Sequence, residues 1–217
     1  MWQKIKRSKS VKKKAIIFLS GRVNLKADYY KNIKYSEYDI YCADGGANHA
    51  YNLGVIPKLI LGDLDSITEE ARSHYKNLGV KFEKFPGSKN FTDGELILDK
   101  VTVKYKNVII LGGSGGRTDH FLTNLNLLEK YQNITYEDEN EVIFWVKKDM
   151  EICGQRGKTI SFIPLTPIDS LTLEGFIYPL DRADIPRSSS LCMSNIIDKE
   201  NVRIKYDNGS VIGIIQK

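Results

Sequence analysis

The sequence predicts an α/β protein, with an N-terminal, mostly parallel three-layer α/β domain followed by a small antiparallel β-sandwich domain. In the first 132 residues, short and wholly apolar runs that end in glycine alternate with stretches of helical periodicity, as in buried parallel strands joined by helices. After Gln132 the helical periodicity stops, and short alternating runs separated by turn residues follow. We therefore expect a basic arm over residues 1–14, the α/β domain over 15–135 and the β-sandwich over 136–217.

The composition is that of an ordinary globular protein: 41% of the 217 residues are apolar and 27% are charged. Seven of the 32 basic residues lie in the first 14 positions, which leaves 25 basic against 27 acidic residues, so the net charge of +5 belongs to the arm and nucleic acid is not an expected partner. There is no long apolar run and no secretory signal pattern, so we expect no membrane span. Three scattered cysteines favour a reduced, cytoplasmic protein.

Two apolar runs, Ala15–Leu19 and Tyr38–Ala43, are predicted to be buried strands that open the α/β domain. The second leads into the segment Asp44–Asn48, whose two glycines permit a tight turn and a close approach of the backbone to a ligand. A helix over residues 47–53 would bring its N-terminal amides to this strand end, where they can receive a phosphate. Paired glycines are also typical of an ordinary turn, and the preceding Asp44 favours a functional role.

The most informative stretch is Leu59–Ser66, with the sequence LILGDLDS. If its apolar part is a buried parallel strand, Asp63 and Asp65 leave the C-terminal end of that strand, where ligands bind in open α/β sheets. Residues two apart face the same side of an extended backbone, so both carboxylates are expected to face one crevice and to bind Mg²⁺. The alternative is an aspartate-rich turn, since Ser66 and Glu69 have the spacing of a capping box at a helix start.

A second capping box, formed by Thr92 and Glu95, predicts a helix after the strand Val80–Phe85. Asp93 would lie in the first turn of this helix, where it either complements the helix dipole or helps to bind a cation. The two roles are compatible because the carboxylate stays ionised in both. Lys89, just ahead, is either a solvated loop lysine or a phosphate contact.

Four glycines occur in the five residues Gly112–Gly116, directly after the predicted strand Val108–Leu111. So many glycines cost more conformational entropy than an ordinary turn requires, and a backbone that passes close to a ligand explains them. Arg117 follows, with a planar guanidinium suited to phosphate or carboxylate. Asp119 and His120 begin a helix predicted over residues 118–131, although the histidine alone is equally typical of a helix cap or a buried ring.

The second half is predicted to consist of strands and turns. The strands are Val142–Val146, Lys158–Ile163, Ser170–Leu173, Leu191–Asn195, Val202–Tyr206 and Val211–Ile215. The segment Asp207–Gly209 is expected to join the last two as a hairpin, because Asn-Gly is a strong turn signal.

Carboxylates and glycines thus follow several predicted parallel strands, whose ends meet at one edge of a sheet. With Asp93 and Arg117 nearby, they predict a Mg²⁺–polyphosphate site in which catalysis is mostly positioning and charge neutralisation. The sequence has no G-x₄-G-K-[ST] loop and no G-x-G-x-x-G after the first strand, so neither a P-loop enzyme nor a Rossmann dehydrogenase is expected.

Several motifs, in order, resemble the thiamine pyrophosphokinase (thiamine diphosphokinase) family over about residues 42–195. They are Asp44-Gly45-Gly46-Ala47-Asn48, Gly62-Asp63-Leu64-Asp65-Ser66, Lys89-x-x-Thr92-Asp93-x-Glu95, Gly116-Arg117-Thr118-Asp119-His120 with Asn124, Tyr178-Pro179-Leu180 and Ser194-Asn195. The resemblance implies a nucleotide-binding catalytic α/β domain and a β-sandwich that binds thiamine and forms a homodimer. It also implies Mg²⁺-dependent transfer of the pyrophosphoryl group of ATP to the hydroxyl of thiamine, which yields thiamine diphosphate and AMP.

By position, the resemblance implies that four aspartates hold the Mg²⁺–ATP complex: Asp44, Asp63, Asp65 and Asp93. Lys89 and Arg117 would contact the polyphosphate, and together with Asp65 and Asp93 they form the implied catalytic set. Nucleotide or thiamine binding is implied for a wider set: Asp44, Gly45, Asn48, Gly113, Arg117, Asp119, His120, Ser194 and Asn195. The general base is not evident, and His120 is only a candidate.

The sequence departs from the family pattern at two places. Ser88 and Asn90 flank Lys89 where many bacterial members have acidic residues, so two charges beside the predicted site are absent. Ile196 follows the late Ser-Asn pair where an aromatic residue, which could pack against thiamine, is common.

Two other functions remain open at this point. One is a pyrophosphokinase that acts on another alcohol, such as a hydroxymethyl pterin. The other is a non-catalytic module that senses nucleotide or thiamine, for which the full set of carboxylates would not be needed.

Overall fold

The protein contains two β-sheets, one of ten strands and one of four, in a computed structural model that describes residues 14–86 and 90–217. The predicted arm therefore lies outside the described residues except for Lys14, which begins the first strand. No helix within these ranges is long and apolar enough to cross a membrane.

The first half of the chain forms the parallel part of the large sheet, with strand order β6-β5-β1-β2-β3-β4. The strands are β1 (Lys14–Phe18), β2 (Asp39–Ala43), β3 (Leu59–Gly62), β4 (Lys81–Lys84), β5 (Asn107–Leu111) and β6 (Ile134–Glu137). The helices are α1 (Asp28–Asn32), α2 (Gly46–Asn52), α3 (Glu69–Asn77), α4 (Asp93–Thr102) and α5 (Thr118–Lys130), with a 3₁₀ turn at Tyr35–Glu37.

Both faces of this sheet are covered by helices, because its strands are apolar on both sides. Ile17 of β1 packs in the cluster shared with α4 and α5, and Ile16 packs on the opposite face with Tyr30 of α1 and Tyr75 of α3. The expected three-layer arrangement is therefore confirmed.

The eight strands of the second half are β7 (Glu141–Trp145), β8 (Asp149–Cys153), β9 (Thr159–Pro164), β10 (Ile168–Glu174), β11 (Leu180–Ile185), β12 (Asn195–Ile196), β13 (Asn201–Lys205) and β14 (Val211–Gln216). Four of them, in the order β12-β9-β14-β7, extend the large sheet antiparallel beyond β6, and the others form the small sheet β11-β10-β13-β8. An apolar cluster that includes Phe162 and Ile204 lies between the two sheets, so the β-sandwich is confirmed.

The large sheet is continuous through the predicted domain boundary, since β6 spans residues 134–137. It pairs parallel with β5 on one side and antiparallel with β7 on the other. The two halves of the chain therefore share one sheet, and the change of architecture occurs at the turn after β6.

Three local predictions are wrong. Ser66 does not cap α3; Thr68 does, by accepting a hydrogen bond from the Ala71 amide. The run Leu191–Asn195 is a turn as far as Ser194, whose φ of +53° ends any extended backbone, and only Asn195–Ile196 is a strand.

The third correction concerns Asp207–Gly209, which does not form a hairpin. It connects β13 in the small sheet to β14 in the large sheet, and its Asp207 amide donates to the Asp169 carbonyl. A Cβ on Gly209 would lie 2.6 Å from the Pro167 carbonyl oxygen. Gly209 allows the chain to cross closely from one sheet to the other. The strands β13 and β14 do not pair with each other, because each pairs with strands that are distant in the sequence.

Candidate active site

Three carboxylates converge at the C-terminal edge of the parallel strands. Asp44 follows β2, Asp63 follows β3 and Asp93 begins α4, and one oxygen from each lies within 4.8 Å of the other two. Asp44 is buried, and the other two are partly buried. Grouped hard oxygens of this kind suit a divalent cation such as Mg²⁺, which takes carboxylates together with water and phosphate oxygens.

Gly62 makes this convergence possible. A Cβ atom on this residue would lie 2.9 Å from Cβ of Asp44 and 3.1 Å from Cγ of Asp93. Its φ of +153° also favours glycine. The last residue of β3 is therefore glycine because two of the three carboxylates pass directly over its backbone.

The backbone at Asp44 is strained in the way that functional sites often are. Its φ is +41°, a left-handed conformation that costs a non-glycine residue about 1 kcal/mol. Burial raises the pKa of its carboxyl, the nearby Asp63 charge adds to the rise, and hydrogen bonds from Ser66 oppose it. A bound cation would favour the ionised form that burial disfavours.

Asp65 does not belong to this group of three. The expectation that it faces the same crevice as Asp63 assumed an extended backbone, but Leu64 between them has a φ of +66°. The Asp65 carboxylate accepts the Ser66 hydroxyl at 2.8 Å. Its role in metal binding therefore stays a prediction without support from this geometry.

Two residues from neighbouring helices brace the loop that carries Asp63. The guanidinium of Arg72 on α3 donates to the carbonyl of Leu64. Asn48 on α2 donates to the Ser66 carbonyl and accepts from the Thr68 amide, both at 2.9 Å. Asn48, a predicted ligand-binding residue, thus uses its side chain to join α2 to the segment between β3 and α3.

Two of the three carboxylates, Asp44 and Asp93, border a cleft of about 320 Å³. Its walls include Asp44 and Asp93 on one side and Gly113, Arg117 and His120 on the other. Five of the predicted site residues therefore share one cleft. The loop after β1 also lines it, through residues 19–21, a contribution that the sequence prediction missed although a buried strand followed by small residues was visible there.

Several glycines around the cleft are required by close packing. The Gly21 amide donates to the Gly112 carbonyl at 2.8 Å, which continues the β1–β5 pairing beyond the strands. A Cβ on Gly112 would lie 2.4 Å from the Leu19 carbonyl oxygen, and one on Gly115 would lie 2.7 Å from Cβ of Arg22. A Cβ on Gly45 would lie 3.1 Å from Cβ of Ser66, so this glycine is closely packed too.

Arg117 and Asp119 form a bidentate ion pair at the start of α5. Nε and one terminal nitrogen of the guanidinium donate to the two carboxylate oxygens at 3.1 and 2.6 Å. Arg117 holds the pKa of the Asp119 carboxyl down at about 2, with help from the His120 amide. Both side chains are exposed, by 72% and 62%, so the pair is accessible to an incoming anion.

Two predicted regions are not among the residues that line the cleft in the described part of the chain. Lys89, with the departure at Ser88, lies outside the described residues, and Asn90 beside it is exposed. Ser194 and Asn195 lie at β12, on the opposite edge of the large sheet and six strand positions from β1. Asn195 is buried, and its amide group pairs with both the carbonyl and the N–H of Tyr178 at 2.7 and 3.1 Å.

Comparison with known proteins identifies the family. Residues 30–142 match the model "Thiamin pyrophosphokinase, catalytic domain", and residues 142–211 match "Thiamin pyrophosphokinase, vitamin B1 binding domain". The chain is 35% identical over 179 residues to the thiamine pyrophosphokinase of Bacillus subtilis (strain 168), covering 79% of this chain and 84% of that protein. It is 28% identical over 197 residues to thiamine pyrophosphokinase 1 of Oryza sativa subsp. japonica, covering 77% and 75%.

Solved structures agree with these matches. The crystal structure of the Bacillus subtilis thiamine pyrophosphokinase has a TM-score of 0.83 at 31% identity and covers 94% of this chain and 99% of that one. The thiamin pyrophosphokinase of Candida albicans, at 19% identity, shares the fold with a TM-score of 0.78 over 95% of this chain and 90% of that one. The chain belongs to the thiamin pyrophosphokinase family.

Proposed function

We propose that this chain is a Mg²⁺-dependent thiamine pyrophosphokinase, which transfers the pyrophosphoryl group of ATP to the hydroxyl of thiamine and releases AMP. The observation that carries this proposal is the single cleft in which the carboxylate group, the glycine-rich loop and Arg117 meet, in a chain of this family. The relatives described above are all thiamine pyrophosphokinases, so the pterin and sensing alternatives have no support.

The residues of the cleft fit the chemistry of this transfer. Asp44, Asp63 and Asp93 would hold Mg²⁺, and Asp65 remains a proposed further ligand. When bound, Mg²⁺ would neutralise and orient phosphate oxygens of ATP. The backbone of the glycine-rich loop would follow the polyphosphate, and the exposed guanidinium of Arg117 would offset charge on it during attack of the hydroxyl on the β-phosphorus.

Two further roles are proposed from the sequence. His120 lines the cleft and is our candidate for the general base that accepts the proton of the thiamine hydroxyl. Lys89 would add a second positive charge near the phosphates. We also propose a nucleotide-binding unit over 15–135 and a thiamine-binding unit over 136–217, as predicted from the sequence.

We further propose that the enzyme acts as a homodimer. Asn195 lies about 29 Å from β1 when measured along the sheet, at roughly 4.8 Å per strand. One chain therefore does not bring its late segment to its own cleft. Apolar side chains are exposed around this segment, as a subunit contact requires: Ile177, Tyr178, Leu191 and Met193. Sedimentation velocity of the purified chain tests this: we expect twice the monomer mass, and a monomer at all concentrations would contradict the dimer.

We also propose a reducing, cytoplasmic location, because the three cysteines of the chain form no disulfide bonds. Cys42 and Cys192 are buried, Cys153 is exposed, and all three are free. Disulfide bonds are typical of oxidising compartments, and free thiols are typical of reducing ones.

Product identification tests the proposed reaction. The chain is incubated with ATP, Mg²⁺ and thiamine, and the products are identified by mass, with a hydroxymethyl pterin as a parallel acceptor. We expect AMP and thiamine diphosphate, and no product when Mg²⁺ is chelated. Formation of ADP and thiamine monophosphate would overturn the proposed pyrophosphoryl transfer. Turnover with the pterin but not with thiamine would overturn the proposal that thiamine is the acceptor.

A further inference from the structure

The back of the glycine-rich loop, Gly112–Gly116, rests on an aromatic ring. A Cβ atom on Gly113 would lie 2.2 Å from Cδ1 and 2.7 Å from Cε1 of Tyr136, so the loop backbone packs directly on this ring. Tyr136 is buried in β6, next to the strand that leads into the loop. Its hydroxyl has no hydrogen-bond partner in residues 14–86 and 90–217, so Tyr136 supports the loop through its ring.

Asp138, two residues further on, holds the next residue of the loop. Its Oδ2 accepts a hydrogen bond from the Ser114 hydroxyl at 3.1 Å. Its Oδ1 accepts from the amides of Asn140 and Glu141 at 2.8 and 3.0 Å, which shapes the turn between β6 and β7. One carboxylate therefore connects the loop to the turn where the parallel part of the sheet ends.

Other contacts complete the support from behind. The Asn124 side chain on α5 donates to the Gly113 carbonyl at 2.8 Å, and the Arg22 amide donates to the Ser114 carbonyl at 2.9 Å. The four glycines of the loop line the cleft, whereas Ser114 turns its hydroxyl back to Asp138. The loop is thus fixed on its core side and open on its ligand side.

We propose that Tyr136 and Asp138 are positioning residues that hold the glycine-rich loop in its ATP-binding shape. This inference rests on the proposed function, which assigns the polyphosphate to that loop. A loop that is already ordered loses less entropy when it binds a ligand, and its backbone donors are already aimed. Loosening the support should therefore weaken ATP binding while leaving thiamine binding unchanged.

Two substitutions test the two contacts separately. Tyr136→Leu removes the ring, and we expect the Kd and KM for ATP to rise about tenfold, with the KM for thiamine unchanged. Ser114→Ala removes only the hydroxyl that Asp138 accepts, and we expect a rise of about threefold. Tyr136→Phe should stay within about twofold of the wild type because the hydroxyl has no partner.

Tyr131→Leu is the matched control. Tyr131 is another buried tyrosine of the same apolar cluster, and its hydroxyl donates to Asp99 of α4 and not to the loop. Its loss lowers stability without touching the loop, so its KM for ATP should stay at the wild-type value. Thermal unfolding of each variant, and titration calorimetry with ATP and Mg²⁺ in the absence of thiamine, separate binding from folding and from turnover.

The outcomes distinguish this inference from the proposed function. Wild-type affinity for ATP in both folded Tyr136→Leu and Ser114→Ala would overturn the positioning role. An equal rise in Tyr131→Leu would also overturn it, since general destabilisation would then explain the result. A wild-type chain that does not bind ATP would overturn the proposed function itself, and the role of the loop with it.

Discussion

The two walls of the cleft are built in opposite ways. The acidic wall belongs to a group of three carboxylates from separate elements, at β2, β3 and α4, of which Asp44 is buried and the other two are partly buried. The cationic wall is Arg117, which forms an exposed ion pair with Asp119 two residues further on. The carboxylate group brings like charges together against their repulsion, whereas the Arg117–Asp119 pair joins opposite charges that are close in the sequence.

This difference indicates that the acidic side of the cleft is the one organised to bind a ligand. Carboxylates held within 4.8 Å of one another repel, and a cation bound between them would offset that repulsion. The Arg117–Asp119 pair is already neutral, and the exposed guanidinium keeps further N–H donors for a phosphate. We therefore expect larger losses of activity from changes to the acidic wall than from changes to the cationic wall.

The largest expected effect is that of Asp93→Asn. It removes one of the three negative charges that would hold Mg²⁺, so kcat/KM should fall by about a hundredfold to a thousandfold. The unfolding temperature shows whether the variant keeps the fold. Turnover as a function of Mg²⁺ concentration, together with thermal unfolding, measures both.

Asp65→Asn is the comparison for Asp93→Asn, since Asp65 lies next to the group but outside it. A loss of the same size would support Asp65 as a fourth ligand, as the sequence predicts. Turnover near the wild-type level would restrict the site to Asp44, Asp63 and Asp93. Wild-type turnover in Asp93→Asn itself would contradict the metal assignment.

Gly62→Ala tests the packing that allows the acidic wall to form. The added methyl group would contact Asp44 and Asp93 at 2.9 and 3.1 Å, so we expect both a lower unfolding temperature and a loss of activity of at least about tenfold. Gly54→Ala is the control. Gly54 has a φ of +66° but open space around it, so this change should lower stability by about 1 kcal/mol and leave activity unchanged. Equal activity losses in the two variants would contradict the explanation from close packing.

Among Asp93→Asn, Gly62→Ala and Arg117→Ala, the last should have the smallest effect on activity. We expect the KM for ATP to rise about tenfold, with no change in unfolding temperature because exposed ion pairs add little stability. The pKa of Asp119 should rise from about 2 towards its ordinary value of about 3.9, which carboxyl NMR titration can follow. A wild-type KM in this variant would remove Arg117 from the site, and an unchanged pKa would mean that the pair does not form in solution.

The local features of the sheet could be read from the sequence because they depend on near neighbours. The apolar run at β1 predicted its burial on both faces, and Thr92 caps α4 as expected, accepting from the Glu95 amide at 3.1 Å. Short elements with weak patterns were missed, namely α1, β6, β8 and β11. These elements are only four to six residues long, so that even the alternation in β6 (ITYE) and β8 (DMEIC) is too short to identify a strand without its neighbours in the fold.

The site itself could be predicted only in part, and the errors have one cause. The sequence indicated which aspartates lie near strand ends, but it gave no sign that Leu64 would break the extended backbone and turn Asp65 away from Asp63. It also showed no sign that Tyr136 supports Gly113 from a strand 23 residues later. Both features depend on contacts between segments that are remote along the chain.

The sequence by itself determined the α/β class, the change to β structure in the second half, the glycine-rich loop, the cap at Thr92 and the resemblance to the family, because burial patterns, caps and motifs depend on residues close together. Only the tertiary structure decided that the group is Asp44, Asp63 and Asp93 without Asp65, that one sheet runs through both halves, and that Asp207–Gly209 crosses between sheets. The physical reason is that strand pairing and the close approach over Gly62 are set by the packing of distant segments, which no local pattern encodes.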